Sequence, residues 1–575
     1  MGRLMSFLRP YRTMVALVLI LTFAQTLASL YLPNLMSSIV DRGVLRGDVA
    51  YILAIGALML GVALVSGAAA VLASLFGAKA TAGFSRDLRN RLFRHVENFT
   101  LREFNQIGTS SLIVRTTNDV MKVQQLVGMS LRVLVMAPLT AIGGIIMAVA
   151  TDASLAPVLV VALPVMAAVI YLVMGRGFGL FRTIQVKVDR LNLVLRENLT
   201  GVRVVRAFGR TPYELDRFRA ANEDLTDTSV RVFRLMATMM PAIMLVMNLA
   251  TVAIVWFGGV QVEAGTLPIG KLMAFIQYVT QILFAVMMVS FMLFMVPRGQ
   301  ASAVRILEVL DMEPEIRAPG HAGVPPEAKG RVEFRDVTFR YPGAEAPALE
   351  HVSFAAEPGQ MTAIIGGTGS GKSTLMHLIL RFYDVASGAV LVDGVDVREM
   401  SQAELRSRIG YVPQRAVLFT GSVTDNLRYG DLEVTKERAR HVLDVAQATE
   451  FVDAMPEGMD AGVMQGGTNL SGGQRQRLSI ARALARRASI YLFDDSFSAL
   501  DYKTDAALRQ ALRREVRNSA VLVVAQRVST VMDADRIVVL DDGEVVGVGR
   551  HGELMRTCPV YQEIVASQMT PEESA

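Results

Sequence analysis

The run Gly366-Gly367-Thr368-Gly369-Ser370-Gly371-Lys372-Ser373 holds the densest set of residues able to do chemistry. Its pattern, G-x-x-x-x-G-K-[ST], follows an apolar stretch at 361–365 and opens an apolar helical stretch at 373–382. Strand, loop and helix in that order cradle phosphates. The glycines let backbone N–H groups curl round the anion, and the helix N-terminus adds positive potential. Lys372 is placed to reach the β- and γ-phosphates and the Ser373 hydroxyl to bind Mg2+, with Thr374 beside them. A second apolar stretch, 490–493, ends in Asp494, whose carboxylate at a strand end is placed to hold the same metal. Together these residues predict binding of ATP with Mg2+.

A second cluster is Leu470-Ser471-Gly472-Gly473-Gln474, followed by Arg475-Gln476-Arg477. Its small residues precede a helix expected to begin near Gln474, giving another helix end suited to phosphate. This run matches the signature of ATP-binding cassette (ABC) proteins, and the chain resembles that family over nearly its whole length. The resemblance implies that Ser471, Gly472, Gly473 and Gln474 face the γ-phosphate of ATP held by a partner domain, so that two domains sandwich two ATP molecules. Tyr341 resembles the aromatic that stacks on adenine. Gln414, within Tyr411-Val412-Pro413-Gln414, resembles the Q-loop glutamine, a residue of the metal and hydrolytic site. Ser498-Ala499-Leu500-Asp501 resembles the D-loop.

Two positions depart from the family pattern, and both concern hydrolysis. Where the family has glutamate after the metal-holding aspartate, this chain has Asp495. Losing one methylene draws the carboxylate back by ~1.5 Å, and a misplacement of ~1 Å can cost about 10²-fold in rate. Where the family has histidine, this chain has Gln526, which can donate a hydrogen bond but cannot carry an imidazolium charge. Gln465 is a third difference, at a position where glutamate is usual. The expectation is a heterodimer with unequal sites. This chain's Lys372, Ser373, Asp494, Asp495 and Gln526 form a slow, ATP-holding site, and its intact signature completes the partner's hydrolytic site. A homodimer is the alternative.

The elements that must position these residues begin with an apolar first half. Hydrophobic residues are 52 % of the chain and charged residues 19 %, below the quarter or so of ordinary globular domains. A single cysteine, Cys558, excludes an intrachain disulfide and a zinc-binding cysteine cluster. Stretches 14–32, 51–76, 133–150, 155–174, 239–259 and 272–296 carry no charged residue, and each is long enough, at about 20 residues, to cross a membrane. The first is read as retained rather than cleaved, since it lacks a clear small-residue cleavage site and five spans follow. Connections 31–50, 151–154 and 260–271 are short. The connections 77–132 and 175–238 are long, helical in pattern and rich in Lys and Arg, which places them in the cytoplasm with the N-terminus and everything after Arg298. The net charge of +5 is thereby explained without nucleic acid.

The spanning helices are expected to run well past the membrane and to turn near 106–111 and 209–213. The family resemblance extends to Arg115-Thr116-Thr117-Asn118-Asp119-Val120 and to Glu197-Asn198-Leu199-Thr200-Gly201, and implies that the loop tips are coupling helices, one docking on the partner. The expected fold is an α-helical transmembrane bundle over 1–312, a linker over 313–330, and an α/β P-loop ABC nucleotide-binding domain over 331–575. The function expected is ATP-driven export of an amphipathic or hydrophobic solute, small molecule or lipid, through a lipid bilayer. Two Met-rich stretches, Met239, Met240, Met244 and Met247, and Met287, Met288, Met292 and Met295, offer either an adaptable substrate surface or ordinary packing. An importer of the same fold and a non-transporting regulatory subunit remain open alternatives; uncharged spans argue against an ion channel. The absence of an organelle-targeting leader points to a bacterial plasma membrane.

Overall fold

The computed structural model describes residues 2–316 and 329–568. The chain divides into two compact units, Met1–Glu97 with Thr109–Met312, and Asn98–Gly108 with Glu313–Ala575. Most of the expected linker, residues 317–328, lies outside the described residues.

The first unit is built on six helices of 43 to 53 residues: Gly2–Val44, Val49–Val96, Thr109–Thr151, Ala153–Thr200, Thr211–Glu263 and Ile269–Asp311. Each contains one of the expected spans. Since about 20 residues cross a bilayer, the surplus in each helix runs on beyond the apolar window. The outer surface of those windows is apolar: Leu53, Leu64, Val160 and Trp256 are all exposed. In water such a surface would aggregate, whereas lipid tails are as apolar as leucine. Close packing inside the bundle depends on small residues. A Cβ on Gly143 would stand 2.6 Å from Leu30 Cδ1, and one on Gly144 2.7 Å from Ile282 Cγ1. Tyr278 is buried in the same cluster and donates to the Leu30 carbonyl at 3.1 Å. The methionines divide: Met239 and Met287 sit in that core, while Met240 and Met244 are exposed.

The helical reversals begin about ten residues earlier than the sequence pattern indicates. The second helix stops at Val96, and a short helix, Leu101–Ile107, forms the tip. Thr100 caps it, and Glu103 returns a bond to the Thr100 N–H at 2.6 Å, a T-x-x-E capping box. The second reversal holds the short helix Val202–Ala207.

In the second unit an antiparallel sheet has the order Leu349–Ala356, Val332–Phe339, Ser387–Val392, Val395–Asp396. A six-stranded sheet runs Glu544–Gly549, Arg536–Asp541, Met361–Gly366, Ala520–Val524, Ile490–Asp494, Ile409–Val412. All its pairings are parallel except that of the first two strands. The strand Met361–Gly366 is apolar throughout because both of its faces are covered, Ile365 by one core and Ile364 by the other. The helix after it ends at Ile379, short of the expected 382. Arg381 takes a left-handed conformation (φ 50°), and Phe382 N–H bonds the His377 carbonyl at 2.9 Å while Arg381 N–H bonds that of Leu378 at 3.0 Å. That is a Schellman stop with arginine in glycine's usual place, anchored by the Arg381–Asp384 ion pair.

In the first unit the third helix carries a π-turn, Arg115–Asp119, that turns Asp119 into a buried position. Its carboxylate accepts from Ser302 Oγ at 2.9 Å and Arg305 Nε at 2.7 Å on the sixth helix. Replacing Arg305 with alanine leaves a buried carboxylate short of its cation, and we expect a loss of about 2 kcal/mol. The thermal midpoint of the purified protein should fall accordingly, and Asp119→Asn should cost less; an unchanged midpoint in Arg305→Ala would contradict this role.

Candidate active site

Four of the parallel strands deliver the predicted residues from their carboxyl ends. Gly366 closes one, Asp494 another, Gln526 follows the strand Ala520–Val524, and Gln414 follows Ile409–Val412. Strand register sets these ends side by side, with Val524 opposite both Ile364 and Asp494 and Val412 opposite Phe493.

The glycine loop leads into the helix Lys372–Ile379, whose N-cap, Gly371, has φ 95°. Only glycine fits there, because a Cβ would also lie 2.6 Å from the Ala348 carbonyl oxygen. A Cβ on Gly367 or Gly369 would meet nothing within 4 Å, so neither position is packed against the rest of the chain. Thr368 is exposed and Ser370 buried beside them. The Lys372 ammonium donates to the carbonyls of Gly366, at 2.9 Å, and Gly367. Burial pushes its pKa down, against the pull of Asp495 and Asp494.

Ser373 Oγ donates to Asp494 Oδ1 at 2.9 Å, which joins two of the three expected metal ligands, Gln414 being the third. Asp494 is buried, and burial raises its pKa above the ordinary carboxylate value despite the Ser373 bond. Burial likewise raises Asp495, opposed by Gln414 and Ser498. Among the described residues neither carboxylate is in an ion pair, and the charges nearest them are the Lys372 ammonium and, for Asp495, the Arg527 guanidinium. The Asp494 carboxylate and the Ser373 hydroxyl suit a hard divalent cation, with phosphate oxygens completing its shell. Gln414 makes its side-chain bond to Asp495.

Asp495 and Gln526 meet each other. Gln526 Nε2 donates to Asp495 Oδ2 at 3.1 Å, and Gln414 Nε2 reaches the same oxygen at 3.4 Å. Asp495 has φ 44°, and its N–H bonds the Val524 carbonyl at 2.9 Å. Aspartate tolerates the left-handed region better than most residues.

Tyr341 is half-buried, edge-on to Phe339 and Tyr383 with centroids at 4.9 and 5.3 Å. Its hydroxyl meets Thr374 Oγ1 at 3.0 Å, which ties the aromatic to the phosphate-loop helix. Tyr383 also pairs with the side chain of Asn105 on the tip helix. The signature residues stand apart from this group. Ser471 caps the helix Gly472–Ala485, and Gln474 returns a bond to the Ser471 N–H at 2.9 Å. Ser471 and Gly472 are exposed, and among the described residues they make no bond to the phosphate loop. Sequence reasoning missed Asn105, Tyr383 and the capping role of Gln474; the S-x-x-Q spacing signals the last of these.

Family models match the chain at residues 15–286, the ABC transporter transmembrane region, and at 349–498, the ABC transporter domain. An uncharacterized ABC transporter ATP-binding protein of Mycobacterium tuberculosis is 46 % identical over 569 residues, 98 % of this chain and 97 % of that one. An ATP-dependent lipid A-core flippase of Aromatoleum aromaticum is 34 % identical, covering 99 % and 96 %. The structure of a bacterial Atm1-family ABC exporter with ATP bound superposes with a TM-score of 0.81 at 24 % identity, covering 98 % and 99 %. Six long apolar helices joined to an α/β nucleotide-binding domain define an exporter-type half-transporter that binds and hydrolyses ATP. The chain belongs to the ABC transporter family.

The raised Asp494 pKa has a sign that can be tested. A carboxyl raised in the folded state opposes folding at pH values above its folded pKa, and that cost disappears as pH falls towards its unfolded value. Without nucleotide, Asp494→Asn should therefore melt above the wild type at pH 7, with the gap closing in acid. With Mg2+ and ATP the wild type should gain far more than the variant. A variant that melts lower without nucleotide at pH 7 would contradict this assignment.

Proposed function

We propose that this chain is one subunit of a heterodimeric ATP-driven exporter, holding ATP at a slow site of its own while its signature completes the partner's hydrolytic site. The observation that carries the reading is the Gln526–Asp495 hydrogen bond. A hydrolytic site needs a carboxylate positioned to take a proton from, or orient, the attacking water. Here the carboxylate is one methylene short, and one of its oxygens accepts from two amides. Gln526 is neutral at every pH and adds no positive charge as negative charge grows on the γ-phosphate.

ATP would lie with its phosphates in the concavity of Gly366 to Gly371, Lys372 on the β- and γ-phosphates and Tyr341 against the adenine. Mg2+ would be held by Ser373, Asp494 and Gln414, and would supply charge neutralisation on the phosphate oxygens. Ser471 to Gln474 would bring a helix N-terminus to ATP on the partner, in keeping with their exposure and their separation from this chain's own loop.

The second helical tip supports docking on a partner. The helix Val202–Ala207 buries none of its residues, and Leu199, Val204 and Phe208 are exposed, Phe208 at 76 %. Since this tip carries Arg203, Arg206 and Arg210, it lies on the cytoplasmic side with the N-terminus and nucleotide-binding domain, in a bacterial inner membrane. The cargo class, an amphipathic or hydrophobic solute, is supported by spans free of charged residues and by similarity to a protein named as a lipid A-core flippase.

Two measurements test the proposal. Reconstituted alone, the wild type should hydrolyse ATP at a rate near background, and Asp495→Glu with Gln526→His should raise it by about 10²-fold. Brisk hydrolysis by the wild type would instead favour a symmetric homodimer. Phe208→Asp should reduce co-purification with the partner subunit while leaving ATP binding intact; an unchanged yield of complex would remove the docking role.

A further inference from the structure

The turn that carries Gln526 is not held by its own sequence. The helix Val528–Val531 begins after Arg527, a residue with no side-chain acceptor, so the helix lacks a local cap. Its first N–H is satisfied from 40 residues away, where Gln568 Oε1 accepts from Val528 N at 2.9 Å. The other end of the same amide group, Gln568 Nε2, donates to the Gln526 carbonyl at 2.8 Å. One side chain therefore brackets the turn on both sides of Arg527. Only one orientation of the amide satisfies both bonds, which fixes its oxygen and nitrogen.

The base of this bracket is tied to the core. Gln568 follows the helix Pro559–Ala566, and its own N–H bonds the Val565 carbonyl at 3.0 Å. Tyr561 and Val565 anchor that helix in the hydrophobic core that also contains Val528 and Val531. Tyr561 is further fixed through its hydroxyl, 2.8 Å from His551 Nδ1. Gln568 itself is exposed, so removing its side chain opens no cavity. The sequence gives no hint of this link, because the pairing is long-range and glutamine near a chain end carries no pattern.

We propose that Gln568 is a positioning residue for nucleotide turnover: by fixing the backbone of the 526–528 turn it sets where the Gln526 amide stands between Asp495 and the γ-phosphate. Gln568 thus acts on ATP through Gln526 without touching it. This rests on the reading that Gln526 faces the γ-phosphate of ATP bound at this chain's own loop.

The test is a double-mutant cycle on the full-length chain in proteoliposomes, comparing wild type, Gln568→Ala, Gln526→Ala and the double variant. The readouts are the half-life of retained radiolabelled ATP, together with kcat and KM for any hydrolysis. Gln568→Ala should change the half-life or kcat by about tenfold at unchanged KM, less than the roughly 10²-fold of a full ~1 Å misplacement because the turn is loosened rather than displaced. In the Gln526→Ala background the same replacement should do nothing further, because the residue it positions is gone. If Gln526→Ala matters but Gln568→Ala does not, or Gln568→Ala acts equally in both backgrounds, the positioning role is overturned and the reading of Gln526 stands. If Gln526→Ala changes neither half-life nor kcat, both fall.

Discussion

Parallel pairing of buried strands is the constraint on which the nucleotide site depends. A parallel sheet points its strand ends the same way, and ligands bind in the crevice outside the carboxyl ends. Here the register Val524 to Ile364 and Val524 to Asp494 places the phosphate loop, the two aspartates and the 526–528 turn along one edge. The apolar core on both faces holds that register, since a one-residue slip would turn every side chain of a strand to the other face. The chemistry is carried by loops, and their relative positions by the sheet.

Within that frame, the proposed reading is of a site that keeps the residues for holding ATP and changes those for splitting it. The glycine loop, the buried Lys372 and the Ser373–Asp494 pair are all present. The two residues on which that reading turns, Asp495 and Gln526, bond to each other. An aspartate at that position pulls back the carboxylate, and a glutamine opposite bridges part of the gap. Either change alone would leave a poorer contact, which gives a physical reason for the two to occur together.

The sequence made the phosphate loop, the signature and the six spans legible because each is a local pattern: a fixed glycine spacing, or an unbroken apolar run. The helical surplus beyond the spans was legible from composition. The early reversal at Val96 was legible in principle from Thr100 and Glu103, a capping box inside a stretch otherwise read as continuous helix. The stop at Ile379 was not, because an arginine occupies the left-handed position where a glycine would have announced the end. Contacts that join distant parts of the chain, Gln526 with Asp495, Tyr341 with Thr374 and Asp119 with Arg305, follow from tertiary packing and leave no mark in local spacing.

The central claim, that this chain's own loop retains ATP without splitting it, is tested most directly by identifying the nucleotide that stays bound. The transporter complex would be loaded with doubly labelled ATP and Mg2+, freed of unbound nucleotide, and the nucleotide cross-linked to this chain analysed. The account predicts intact triphosphate on this chain and diphosphate on its partner. Diphosphate on this chain in equal measure would contradict it.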